Sequence, residues 1–151
     1  KMLGDQGLPR QAYPSVFVLL TETLDTFGGL VFTRIRDKAI NGAKNKSSAA
    51  QLRTNEFDPA IVCDDAKETC RNWFYKTACI RELLPRLYVE MSLLRCYRFL
   101  SADDFPRLFG RLASIIRGIG DPITALYARA YLIRQASAVY GDSAGRDRAY
   151  A

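Results

Sequence analysis

The chain has 151 residues, enough for one ordinary domain or a piece of a larger array. Nearly half of them are apolar, so a sizeable core is within reach, while the net charge of +6 rests on 22 basic against 16 acidic side chains. Histidine is absent, which removes the commonest general base and metal ligand and argues against an enzyme.

In chain order, the first dozen residues, KMLGDQGLPRQA, are punctuated by glycine and proline and read as a flexible lead-in. The chain opens on Lys1 without signal-peptide architecture, and this reads as an excerpt of a longer protein. A helix is expected from Pro14 and Ser15, because Val16, Leu20, Leu24, Phe27, Val31 and Ile35 recur at helical spacing. Gly28 and Gly29 interrupt it, each costing about 1 kcal/mol against alanine. They either permit a close helix contact or weaken the turn. No apolar run is expected to approach the ~18 residues of a membrane span.

Residues 41–62 carry turn and polar character and read as a variable linker. The basic excess is greatest over residues 34–53, and a solvated surface is preferred there to a directed footprint. Asp65 and Glu68 resemble a capping box. An apolar seam then runs through Cys70, Trp73, Thr77, Ile80, Leu84, Leu87, Met91 and Leu94. Ser101 and Asp104 offer a new start, followed by Phe105, Leu108, Leu112, Ile115 and Ile119. Asp121 is the expected N-cap of the last helix, with Pro122 as its first residue and Ile123, Leu126, Tyr127, Ala130 and Ile133 as its apolar positions. The tail, 141–151, is polar and expected to be flexible.

No segment alternates as a strand, so the fold class is all-α. Short connections and helices apolar on more than one side favour antiparallel helix pairs in an α-solenoid, HEAT-like, over residues 13–140. The cysteines Cys63, Cys70, Cys79 and Cys96 lack metal-ligand spacing and read as reduced structural thiols; no metal or other cofactor is expected. The acidic pairs Asp64–Asp65 and Asp103–Asp104 read as helix starts rather than catalytic dyads, so no catalytic residue is assigned.

Pro85 lies inside the seam. Either it begins a second helix, for which Leu84 would be a poor N-cap, or one helix over 73–94 continues and bends at a cost of about 3 kcal/mol. The unbroken seam favours the bend. Arg86 points away from the seam, with Glu82 and Glu90 four residues to either side as ion-pair partners. The same side carries Tyr75, Cys79, Leu93 and Tyr97, so a solvated ion ladder and a covered, partly desolvated network stand equal.

The block PRLYVE, with RNWFYK upstream and IRGIGDPITALYARAYL downstream, resembles the vacuolar protein sorting 35-like family. These are the large helical subunits of the endosomal retriever complex, related to the large retromer subunit. VFVLLTETLDTFGGLVFTRI and DDAKETCRNWF extend the likeness over residues ~13–140 in the right order. The retriever form often has phenylalanine at the position of Leu87, whereas Val89 and Glu90 follow its pattern. The resemblance implies a non-enzymatic scaffold for endosomal cargo recycling, in the cytoplasm at endosomes. Its Pro-Arg-Leu-Tyr motif implies that Pro85, Arg86, Leu87, Tyr88, Val89 and Glu90 support binding of an arrestin-like sorting subunit, of the vacuolar protein sorting 26 family. It further implies that a phosphoesterase-like small subunit docks on a C-terminal half not contained in this sequence, that nucleic acid is not a partner, and that membrane association is indirect. The alternative reading is a basic helical module binding nucleic acid or an anionic membrane, with salt-dependent affinity.

Overall fold

The computed structural model describes residues 9–101 and 103–140. Among these residues there are six α-helices and no strand: α1 Tyr13–Asn41, α2 Lys46–Arg53, α3 Asp64–Ala78, α4 Leu83–Ser92, α5 Phe105–Arg117 and α6 Pro122–Tyr140. Three 3-10 segments, Arg10–Ala12, Pro59–Ile61 and Leu94–Phe99, complete the regular structure. The expected flexible ends, 1–12 and 141–151, fall largely outside the described residues.

α1 is the spine. Pro14 is its second residue, where a helix has no use for the missing N–H. Its N-terminal half packs with α4, α5 and α6 around Leu87, Met91, Leu112, Ile116 and Tyr131. Its C-terminal half packs with α2, α3 and the 3-10 segment Leu94–Phe99 around Ile35, Leu52, Cys70, Leu93 and Phe99. Each large side chain fully buried in these two cores contributes about 1.5–3 kcal/mol. By length and composition the helical run Arg10–Asn41 is long and apolar enough to cross a membrane, which corrects the expectation from the sequence. Here its apolar positions instead serve two cores, with Val31, Phe32, Ile35 and Ala39 buried.

The two glycines of α1 differ. A Cβ on Gly28 would lie 2.2 Å from the Ser92 carbonyl oxygen, so hydrogen there lets α1 pass directly over the end of α4. A Cβ on Gly29 would meet nothing within 4 Å.

Residues 41–62 are not simply a linker. Asn45 caps α2, its Oδ1 accepting from the Ser48 N–H at 2.7 Å, and Asp58 accepts from the Ala60 N–H at 2.8 Å. The polar residues that suggested loop are caps. One leucine, Leu52, anchors α2 by complete burial, and Val62 joins the same core.

The continuous bent helix over 73–94 is also corrected. α3 ends at Ala78, residues 79–82 are irregular, and Glu82 is extended at φ −76°, ψ 129°. Pro85 is the third residue of α4, and the first intrahelical N–H bond after it runs from Arg86 to the Glu82 carbonyl at 3.2 Å. A helix leaves its first N–H groups unpaired, so proline displaces nothing here. The seam concealed the break because it joins two surfaces. Cys70 belongs to the second core, whereas Leu87, Met91 and Leu94 belong to the first.

Other local readings divide. Asp121 caps α6, its Oδ2 accepting from the Thr124 N–H at 2.8 Å and from the Thr124 hydroxyl at 2.6 Å, and Pro122 opens the helix. Ser101 Oγ accepts from the Asp103 and Asp104 N–H groups ahead of α5. The capping box at Asp65 does not form. Cys63 is the N-cap, and Asp65 instead pairs with Lys38 of α1 at 2.9 Å. The buried face of α6 is Ala125, Ala128, Tyr131, Leu132 and Ala136, while Leu126 is 62% exposed. Small side chains let α6 approach its neighbours closely, and the bulkier leucine is left outside. α1 with α2, α3 with α4, and α5 with α6 pack as successive pairs, an all-α, solenoid-like fragment.

Candidate partner-binding site

α4 presents the Pro85 to Glu90 block on three sides at once. Leu87 and Tyr88 point into the first core, each 2% exposed. The Tyr88 ring stacks on Tyr131 of α6 at 5.6 Å, 24° from parallel. Its hydroxyl is buried without a hydrogen-bond partner, and burial pushes its pKa up. Val89 is half-buried against the second core, and Pro85 is half-buried at the start of the helix. Four of the six residues therefore have packing reasons to be where they are.

Arg86 and Glu90 occupy the remaining side. They line a surface cleft of about 390 Å³ with Phe74 and Ala78 of α3, Tyr97, and Leu108 and Arg111 of α5. Glu90 pairs with Arg111 across the cleft, and its side chain is only 15% exposed. The expected Glu82–Arg86–Glu90 ladder does not form. Glu82 lies ahead of α4 and is exposed, and Arg111 has taken Glu90. Among the described residues the half-buried Arg86 has neither a side-chain hydrogen bond nor an ion pair. Its guanidinium has donors to offer and aromatic walls, Phe74 and Tyr97, that meet edge to face at 5.1 Å.

The side expected to unite Tyr75, Cys79, Leu93 and Tyr97 is split by the turn at 79–82. Leu93 is fully buried in the second core, whereas Tyr75 is 72% exposed. Cys79 is exposed too, unlike Cys70 and Cys96, which are buried with the Cys70 thiol donating to the Cys96 carbonyl at 3.2 Å.

Sequence reasoning did not single out Asp25. From α1 it accepts from Tyr131 Oη at 3.0 Å, Gln135 Nε2 at 2.6 Å and the Arg134 guanidinium at 2.6 Å, all on α6. Burial raises the Tyr131 hydroxyl pKa, and the Asp25 carboxylate raises it further. Tyr88, Tyr131 and Asp25 thus tie the motif helix through α6 to the spine. Asp25 is one of three acids in α1, with Glu22 and Asp37, and nothing local distinguishes it; its partners lie over a hundred residues away.

Asp64 and Asp65 stand in the first turn of α3, and Asp104 immediately precedes α5. Among the described residues no three Cys, Asp or Glu side chains are grouped to hold a metal ion.

A stack of successive helix pairs is the architecture of a helical-repeat, solenoid-like fragment. Residues 1–146 match the N-terminal family model of VPS35L. The chain is 48% identical over 134 residues to the mouse protein named VPS35 endosomal protein-sorting factor-like. It is 51% identical over 134 residues to the zebrafish relative and 47% over 138 to that of Dictyostelium discoideum. Each comparison covers 89% of this chain and 13% of the relative. The chain belongs to the VPS35L family, and it spans about 13% of the length of the curated relatives it matches.

Proposed function

We propose that this chain is part of a non-enzymatic scaffold in endosomal protein sorting, and that the α3–α4 end supports binding of an arrestin-like sorting subunit. The relatives' shared name as endosomal protein-sorting factors supports the first part. The observation that carries the second is Arg86, half-buried in the cleft between α3, α4 and α5 without a partner among the described residues. A half-buried guanidinium keeps donors free for an incoming carbonyl or carboxylate, which can make charge-assisted bonds to it. Pro85, Leu87, Tyr88 and Val89 serve by placing α4, Glu90 by holding α5 through Arg111, and Arg86 by touching the partner. The break at 79–82, not a bend at Pro85, sets the cleft. A phosphoesterase-like subunit would dock elsewhere on the longer protein, and the chain would reach endosomes from the cytoplasm through its partners.

The test is co-purification of the full chain with the arrestin-like subunit. Arg86→Ala is expected to weaken capture at least about tenfold while the thermal melt stays within a few degrees of wild type. Undiminished capture by a folded Arg86→Ala chain would refute contact through that side chain.

A further inference from the structure

A second basic site lies on the opposite core. Phe32, 2% exposed, is packed on Phe99 at 5.0 Å and covered by two guanidiniums, Arg95 at 4.2 Å and Arg36 at 4.9 Å from its ring centre. Arg95 donates to Asn55 Oδ1 at 3.2 Å, and Arg98 donates to the Asn55 carbonyl. Burial lowers the Arg95 pKa, and the positive charges of Arg36 and Arg98 lower it further. Beside this roof a cleft of about 650 Å³ is lined by Thr33, Arg36, Asp37, Ile40, Asn41 and Arg53, from α1 and α2.

The ion pairs of the described residues are Lys38–Asp65, Arg111–Glu90 and Arg134–Asp25, so Arg36, Arg53, Arg95 and Arg98 are in none of them, and Asp37 is the one carboxylate that shares the cleft lining. Like charges held together over an apolar ring repel one another, and an anion brought between them removes that repulsion. The guanidinium fork suits a carboxylate. The lining decides which kind of anion. Arg36 is half-buried on α1, its guanidinium held over the Phe32 ring. Asp37 offers an acceptor to the N–H groups of an extended backbone. Asn41 and Thr33 provide neutral groups for further backbone pairing. We infer that this cleft takes an acidic segment of a partner protein, its carboxylates on Arg36 and Arg53 and its backbone along α1. The site is separate from the Arg86 cleft and does not depend on it.

The experiment measures fluorescence polarisation of a labelled poly-glutamate peptide with the full chain at low salt. Arg53→Glu, at an exposed position, and the pair Arg36→Gln with Arg53→Glu are expected to weaken binding about tenfold or more. Arg117→Glu, which makes the same charge change at the exposed end of α5, is expected to leave it unchanged. Equal losses in Arg53→Glu and Arg117→Glu would show only net-charge attraction and overturn the site. Absence of peptide binding overturns it, as does flotation with phosphatidylserine vesicles that is lost in Arg53→Glu while peptide affinity is unaffected.

Discussion

Replacing Gly28 and Gly29 separately by alanine tests the packing of α1 over α4. Both sit in the middle of a 29-residue helix, so alanine should stabilise either by about 0.5–1 kcal/mol through propensity alone. At Gly29 nothing opposes that gain, since the new methyl meets no atom within 4 Å. At Gly28 the methyl would stand 2.2 Å from the Ser92 carbonyl oxygen and 3.1 Å from its carbon. These are backbone atoms, so relief requires α1 and α4 to separate by about 1 Å, an overpacking that costs roughly 1–3 kcal/mol. With the clash near the upper end of that range, Gly28→Ala should lose about 2 kcal/mol net. Neighbouring glycines in one helix therefore give effects of opposite sign. Urea unfolding of the purified chain reads both as changes in free energy, and in a thermal melt each kcal/mol should move the melting temperature by about 2–4 °C. Gly28→Ala as stable as Gly29→Ala would refute the close crossing of α1 and α4, and with it the placement of the motif helix.

Asp25→Ala removes the acceptor shared by Tyr131, Arg134 and Gln135 and leaves a buried tyrosine hydroxyl unpaired, for an expected loss of about 1–3 kcal/mol in the same unfolding assay. Tyr88→Phe discards a hydroxyl that is buried without a partner; stability should stay level or rise by up to about 1 kcal/mol, and a clear loss would reveal an acceptor at that oxygen. Stability should also fall in alkali. The Cys70 thiol ordinarily ionises at 9.0, but burial pushes it up to about 12, and burial raises Cys96 as well. Between those values the unfolded chain has shed protons that the folded chain still holds, so each thiol removes about 1.4 kcal/mol of stability per pH unit above pH 9. Denaturation midpoints at pH 8, 9 and 10 check this, and a flat profile contradicts the burial of both thiols.

Much of the fold was written in short stretches of the chain. The helical class followed from apolar spacing, and Asp121 and Pro122 opened α6 as expected because a cap is satisfied within one turn. The family followed from ordered blocks, and the family match over residues 1–146 spans them all. The Pro85 to Glu90 block was legible as a motif, but its division of labour was not. Arg86 was expected to find Glu90, and a residue of the next helix reached Glu90 first.

The sequence by itself determined what one or two helical turns can settle: where most helices lie, which caps close them and which family's blocks they carry. The tertiary structure alone decided that the chain breaks at 79–82, that Leu52 turns a polar stretch into α2, and that Gly28 rather than Gly29 is the crossing point. It also decided that Asp25 meets three donors on α6. The physical reason is common to all four. Each depends on burial or contact between elements distant in sequence, and a local pattern of apolar and polar residues carries no record of which surface the neighbour will cover.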